Sequence, residues 1–117
     1  MKPAAADFAV RSKIWIEDSG GNVIFGLGRY RILDAVRRSG SMNAAAKELH
    51  MSYRAVWMRV RRSEERIGKQ LIVRDGKGSR LTPFAENLMK QYRRLLAVVQ
   101  NETDEVYENL ITDSLIQ

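Results

Sequence analysis

Leu27, Tyr30, Ile32, Leu33 and Val36 recur at helical spacing, and Ser39-Gly40 stops the run, so residues 28–38 read as a first helix. Upstream the period is closer to two. Val10, Ile14 and Ile16 alternate with Arg11, Lys13 and Glu17, with Trp15 on the other side. The turn cluster Ser19-Gly20-Gly21-Asn22 then lets Val23-Ile24-Phe25 return, which predicts a β-hairpin over 10–25.

Downstream, Ser41 stands where an N-cap belongs, ahead of the Ala-rich run from Met42 to Leu49. This second helix is short and has small side chains that permit close packing. His50-Met51 breaks it, and Ser52 caps a third helix from Tyr53 to Ile67 that Gly68 ends. Val56, Val60 and Ile67 form its apolar stripe, with Ser63 as a gap, while Tyr53, Arg54, Trp57 and Arg61 lie on another face. Leu71-Ile72-Val73 reads as a strand, Asp75–Ser79 as a glycine-rich tip and Arg80-Leu81-Thr82 as the return strand. Thr82-Pro83 opens a long helix, with Thr82 as N-cap and Pro83 at its first position. Its stripe is Phe84, Leu88, Tyr92, Leu95, Val99, Val106 and Leu110.

The predicted class is mainly α with short β-hairpins. Helices two and three form a helix-turn-helix, the basic hairpin is a wing, and the long helix serves dimerisation. The expected organisation is a flexible N-terminus at 1–9, a winged helix-turn-helix domain at 10–82, a dimerisation helix at 83–110 and a tail at 111–117. A helix of that length spans about 40 Å, more than a domain this small can cover, so its stripe is expected to bury against a second copy.

Composition narrows the chemistry. The 117 residues fit one core with an appendage. There is no cysteine and one histidine, His50, which excludes disulfides and thiolate or multi-imidazole metal sites. His50 itself reads as a turn residue, and Met42, Met51, Met58 and Met89 as core filler. No run approaches the roughly 18 apolar residues of a membrane span, and no signal-peptide core opens the chain, so a cytoplasmic protein is expected. Nothing supplies an activated nucleophile or an acid/base pair, so no enzyme, cofactor, metal or small-molecule site is expected.

The formal net charge is +6, and it is concentrated. Residues 50–80 hold nine basic and three acidic side chains, whereas residues 83–117 hold three basic and six acidic ones. Such clustering is the footprint of a phosphate-binding surface. A helix of about 10–12 Å diameter fits a B-form major groove about 12 Å wide, which makes duplex DNA the expected partner.

The candidate DNA-binding residues are Ser41, Ser52, Tyr53, Arg54, Trp57, Arg61, Lys77 and Arg80. Ser41 and Ser52 are caps by position, and a cap hydroxyl can also donate to phosphate. Arg54 can bridge guanine O6 and N7. Trp57 fits either a core position supporting the first helix or the DNA face. Arg61 is expected on phosphate, and Lys77 and Arg80 on the backbone. The candidate dimerisation residues are Phe84, Leu88, Tyr92, Leu95, Val99 and Val106.

Gly40-Ser41-Met42-Asn43-Ala44-Ala45-Ala46, Met51-Ser52-Tyr53-Arg54-Ala55-Val56-Trp57 and Leu81-Thr82 together resemble the N-terminal DNA-binding domain of ModE-type molybdenum-responsive regulators. The Ser-Tyr-basic-x-x-Trp segment is the most specific part, and the preceding hairpin with Gly26-x-Gly28-Arg29 matches as well. A looser similarity reaches LysR-type winged helices through Ala45-Ala46, Ala55-Val56, Arg61-Arg62-x-Glu64 and Leu81-Thr82. The resemblance covers about residues 10–100 and implies a dimeric transcription regulator that binds a palindromic operator.

Three features depart from the ModE pattern. The molybdate-binding domains that follow the long helix have no counterpart before Gln117, the wing is shorter, and His50 stands where glycine is common. The expected function is therefore sequence-specific binding of double-stranded DNA by a homodimer of ModE type, without a fused molybdate-binding domain. The alternative is a winged-helix protein–protein interaction module or adaptor, with the basic face meeting an acidic protein.

Overall fold

A computed structural model describes residues 8–112. The described elements are β1 (Ile16–Glu17), β2 (Val23–Phe25), α1 (Leu27–Ser39), α2 (Met42–Glu48), α3 (Tyr53–Ile67), β3 (Ile72–Asp75), β4 (Gly78–Leu81) and α4 (Pro83–Leu110). The chain divides into two compact units, one of residues 14–91 and one of residues up to 13 together with 92 onward. The division falls inside α4. Its first turns carry the buried Ala85 and Met89 and belong with the winged unit.

In the unit of residues 14–91, local chemistry sets the helix ends. Ser41 Oγ accepts from the Ala44 N–H at 3.1 Å, Ser52 Oγ from Ala55 at 3.0 Å and Thr82 Oγ1 from Ala85 at 3.1 Å. Gly40 and Gly68 end α1 and α3 in the left-handed region. Ile32, Ala46, Val56 and Val60 form a buried cluster that brings α1, α2 and α3 together, with Met42, Leu49, Met51 and Ile72 packed around it. Ala45 and Ala46 are buried on α2, so α3 can lie close to it. Full burial of each larger aliphatic side chain here contributes about 1.5–3 kcal/mol.

Both hairpins form two-stranded antiparallel sheets. The first is much shorter than its alternating pattern suggests. Ile16 pairs with Phe25 and Glu17 with Val23 across an irregularity, and no strand covers residues 8–15. The tight element is the turn: Asp18 Oδ1 accepts from the Gly20 and Asn22 N–H groups, each at 2.9 Å. The Asn22 backbone N–H and then its side chain hold the Asp18 carboxyl below its ordinary range. Val10 belongs to the other unit, where it lines a cavity of about 300 Å³ with Val106, Tyr107 and Leu110 of α4. That packing, and no cross-strand partner, accounts for its apolar character.

The wing hairpin runs in register from Ile72↔Leu81 to Asp75↔Gly78, so only Gly76 and Lys77 form its tip. Gly76 has φ +59°, the left-handed geometry that a two-residue hairpin turn requires. Leu71 stands just outside the ladder and is buried. The wing is seated on the end of α1: the Ser79 N–H donates to the Gly40 carbonyl at 2.8 Å, and a Cβ on Gly78 would overlap that same oxygen. No described helix is long and apolar enough to cross a membrane.

Candidate nucleic-acid interface

The turn between α2 and α3 is made by His50 and Met51. His50 takes φ +54°, which histidine tolerates better than most side chains, and the Met51 N–H donates to the Ala46 carbonyl at 2.9 Å. Together with the Ser52 cap this fixes where α3 begins. Its leading turn is turned outward: Ser52 and Arg54 are exposed, and Tyr53 retains 51% of its surface. Val56 and Val60 anchor the opposite side in the core.

Trp57 is 43% exposed, so it is neither a core residue nor fully solvated. The Arg61 guanidinium lies over its ring, 5.4 Å from the centroid, an arrangement worth about 0.5–1 kcal/mol at an exposed site. Arg61 also donates to Glu64 Oε1 at 3.1 Å. Glu64 is 7% exposed, and its other oxygen accepts from the Leu71 N–H at 2.8 Å and the Ile72 N–H at 3.3 Å. One carboxylate thus ties α3 to the root of the wing and holds Arg61 in place.

The structure brings Tyr53, Arg54, Trp57 and Arg61 onto one exposed side of α3, because they follow at helical spacing. Ser41 is half-buried at the start of α2, with its oxygen engaged as a cap acceptor and its proton still able to donate. Lys77 stands exposed at the wing tip. Arg80 is exposed on β4 with Asp75 at 4.0 Å, an ion pair of little energetic weight in solvent. Among the described residues no group of three His, Asp or Glu side chains could hold a metal ion.

The basic residues of 50–80 do not share one face. Counted at about 100° per residue, Arg59, Arg62 and Arg66 point about 140–200° around the helix from Trp57. They meet Arg29 of α1, whose Nε donates to the buried Ser63 Oγ at 3.3 Å. Burial first, then the like charges of Arg59, Arg66 and Arg62, push the Arg29 guanidinium below its ordinary value. Ser63 is therefore a polar seat for Arg29 within the apolar stripe.

Sequence reasoning misses the role of Glu64, which enters there only through the Arg61-Arg62-x-Glu64 likeness. Its place four residues beyond buried Val60 is the available signal. The bidentate pair of Arg38 with Glu48, at 2.7 and 2.6 Å, is missed as well; it clamps α1 to α2.

On α4 the stripe residues differ in exposure. Phe84, Leu88 and Val99 are half-buried and Tyr92 is buried, whereas Leu95 is exposed and Val106 retains 66% of its surface. Val98 and Leu110 are exposed as well. The Tyr107 hydroxyl is buried without a hydrogen-bond partner among the described residues.

Residues 27–86 match the family model described as "Bacterial regulatory helix-turn-helix protein, lysR family". Among curated proteins, the chain is 33% identical over 87 residues to the molybdenum transport protein ModE of Azotobacter vinelandii, covering 70% of this chain and 32% of that protein. It is 38% identical over 72 residues to the HTH-type transcriptional regulator YofA of Bacillus velezensis, covering 62% of this chain and 25% of that protein. The chain thus spans a quarter to a third of the length of these relatives.

Among solved structures, the crystal structure of the CbnR_DBD–DNA complex superposes with a TM-score of 0.57 at 27% identity, covering 70% of this chain and 94% of that one. The family match at residues 27–86 takes in α2, α3 and the wing, the elements that carry Tyr53, Arg54 and Trp57. On this evidence the chain belongs to the lysR family of bacterial regulatory helix-turn-helix proteins.

Proposed function

We propose that the chain binds double-stranded DNA in a sequence-specific manner, as a homodimeric transcription regulator of ModE type working in the cytoplasm. The observation that carries this reading is the outward leading turn of α3, with Tyr53 and Arg54 in solvent and Val56 locked in the core behind them. The likeness to a domain solved on DNA supports it, as does the ModE relative.

In this reading Tyr53, Arg54 and Trp57 face base edges. Arg61, already oriented by Glu64 and Trp57, meets the backbone. Ser41 and Ser52 donate to phosphates, and Lys77 and Arg80 follow the flanking backbone. Dimerisation uses the α4 stripe of Phe84, Leu88, Tyr92, Leu95, Val99 and Val106, with Leu95 and Val106 the exposed contributors. Two copies so joined would hold their reading helices roughly 34 Å apart, or a multiple of that.

The test is selection of bound fragments from random duplexes, followed by titration across a salt series. The expected outcome is a two-fold symmetric motif and a steep fall of affinity with salt. Arg54→Ala should relax preference at one base pair, at about 1–3 kcal/mol of discrimination, while Lys77→Ala should weaken all sequences alike. Equal effects from the two variants would remove the base-reading role. A salt-insensitive or absent duplex interaction would end the proposal.

A further inference from the structure

A second surface of the winged unit has the composition of a protein-docking site. Its basic half is Arg29, Arg59, Arg62 and Arg66. Arg29 rests on Ser63 Oγ, Arg66 Nη1 donates to the Val23 carbonyl at 2.8 Å, and Arg59 Nη1 lies 3.9 Å from where a Cβ on Gly28 would stand. None of the four is ion-paired to a carboxylate among the described residues. Of the neighbouring acids, Asp18 is engaged in the β1–β2 turn and Glu17 accepts from Trp15 Nε1 at 2.7 Å.

The apolar half adjoins it through the segment Gly26-Leu27-Gly28. Trp15 Cβ lies 3.1 Å from where a Gly26 Cβ would stand, so Trp15 adjoins the residue that precedes α1. Trp15 and Leu27 are both about half exposed. A large aromatic and an aliphatic side chain left in solvent beside four arginines is the composition of an interface hot spot, where tryptophan and arginine are enriched. It is unlike a backbone-tracking surface, which needs cations alone.

We infer that this face, formed by Trp15, Leu27, Arg29, Arg59, Arg62 and Arg66, docks an acidic amphipathic segment of a partner protein. An apolar side chain of that segment covers Trp15 and Leu27, and its carboxylates lie on the arginines. Charge complementarity decides the class of occupant. Four guanidiniums held together with no carboxylate among the described residues in ion-pair contact, only Asp18 acting on Arg66 from a longer distance and one of the four partly desolvated, favour an anionic partner, and the planar fork of each takes a carboxylate bidentately. The helical arithmetic puts Arg59, Arg62 and Arg66 on the side of α3 away from Trp57, so a partner here and a duplex on the leading turn do not compete. This last point rests on the DNA-binding reading proposed above.

The experiment uses the full chain, free and bound to a selected duplex. The probe is a labelled synthetic peptide that alternates glutamates with leucines at helical spacing, and polyglutamate and an unrelated duplex serve as competitors. Expected results are saturable peptide binding with a blue shift of tryptophan emission, equal on free and DNA-bound protein. Affinity should fall at least tenfold in Arg59→Gln/Arg62→Gln and several-fold in Trp15→Ala.

Arg59 and Arg62 are exposed and bonded to no other described side chain, so this pair of changes leaves the fold intact; circular dichroism checks it. No peptide binding, or binding untouched by the variants, overturns the inference. Displacement of the peptide by duplex, with weaker DNA binding in the double variant, reassigns the face to phosphate and likewise overturns it. Binding of polyglutamate as tight as the peptide would deny the apolar half its role and overturn the amphipathic assignment. Loss of DNA binding by the unsubstituted protein would instead strike the preceding reading, while a peptide response would still stand.

Discussion

Glu64 offers the sharpest test of how α3 and the wing are joined. Its two oxygens have separate duties: Oε1 holds Arg61, and Oε2 holds the Leu71 and Ile72 N–H groups. Glu64→Gln can keep one oxygen on the two amides, but its NH₂ then faces the Arg61 guanidinium, donor against donor. The half-exposed ion pair is worth at most about 1 kcal/mol, and replacing a charged acceptor by a neutral one weakens the amide bonds by a similar amount. The expected cost of this variant is about 1–2 kcal/mol, with the wing root still in place and Arg61 released from it.

Glu64→Ala removes both duties and leaves the buried Leu71 N–H without an acceptor. An unsatisfied buried donor costs about 1–3 kcal/mol, and loss of the charge-assisted bonds adds to it, so about 2–4 kcal/mol is expected. For a domain of this size that is a fall in Tm of roughly 10–15 °C. Thermal unfolding gives the total, and hydrogen exchange at Leu71 and Ile72 gives the location. Protection there should survive in Glu64→Gln and be lost in Glu64→Ala. If the alanine variant unfolds within about 0.5 kcal/mol of the parent, the carboxylate is not the tie described here.

Three further outcomes follow from other contacts. Gly78→Ala should cost about 1–3 kcal/mol, because a methyl group there displaces β4 from the Gly40 carbonyl; unchanged urea unfolding with Ser79 still protected would refute it. Hydrogen bonds from Arg38 hold the Glu48 carboxyl below its ordinary value of 4.5. Its stabilising contribution is therefore present above that value and lost as pH falls through the lowered one, so Tm should drop on acidification less steeply in Glu48→Gln than in the parent. Parallel Tm profiles would remove the clamp from the acid response. Val106→Asp places a charge on the exposed α4 stripe and should weaken self-association at least tenfold by sedimentation equilibrium; an unchanged association constant would take that stripe out of the interface.

The helices are legible in the sequence because their ends carry explicit chemistry. Ser41, Ser52 and Thr82-Pro83 at the starts, and Gly40 and Gly68 at the ends, bracket elements whose bounds follow within a residue or so. The outward face of α3 is legible for the same reason, since the cap sets the phase of the helix and Val56 and Val60 set its inner side. The N-terminal strand is not legible. Alternation from Val10 to Ile16 registers burial without saying against what, and Val10 is half-buried where it lines a cavity with α4.

Charge is the other limit. Nine basic residues in a 31-residue stretch look like one footprint along the chain, yet helical phase sends Arg59, Arg62 and Arg66 one way and Arg54 and Arg61 another. Long-range partners set the rest. Nothing near Glu64 in sequence announces that the amides of Leu71 and Ile72 will close on it, and nothing near Gly78 announces the carbonyl of Gly40.

The seat between Gly78 and Gly40 separates two properties of the wing that a simple ribbon would couple. Its inclination is fixed at the base, where no side chain fits at Gly78, whereas its length is set at Gly76 and Lys77, which are exposed. Residues inserted at the apex would extend the ribbon along whatever it meets and leave its angle of departure unaltered. A single added methyl group at the base would swing the whole arm. Variation in this element should accordingly collect at the apex, with the base held constant.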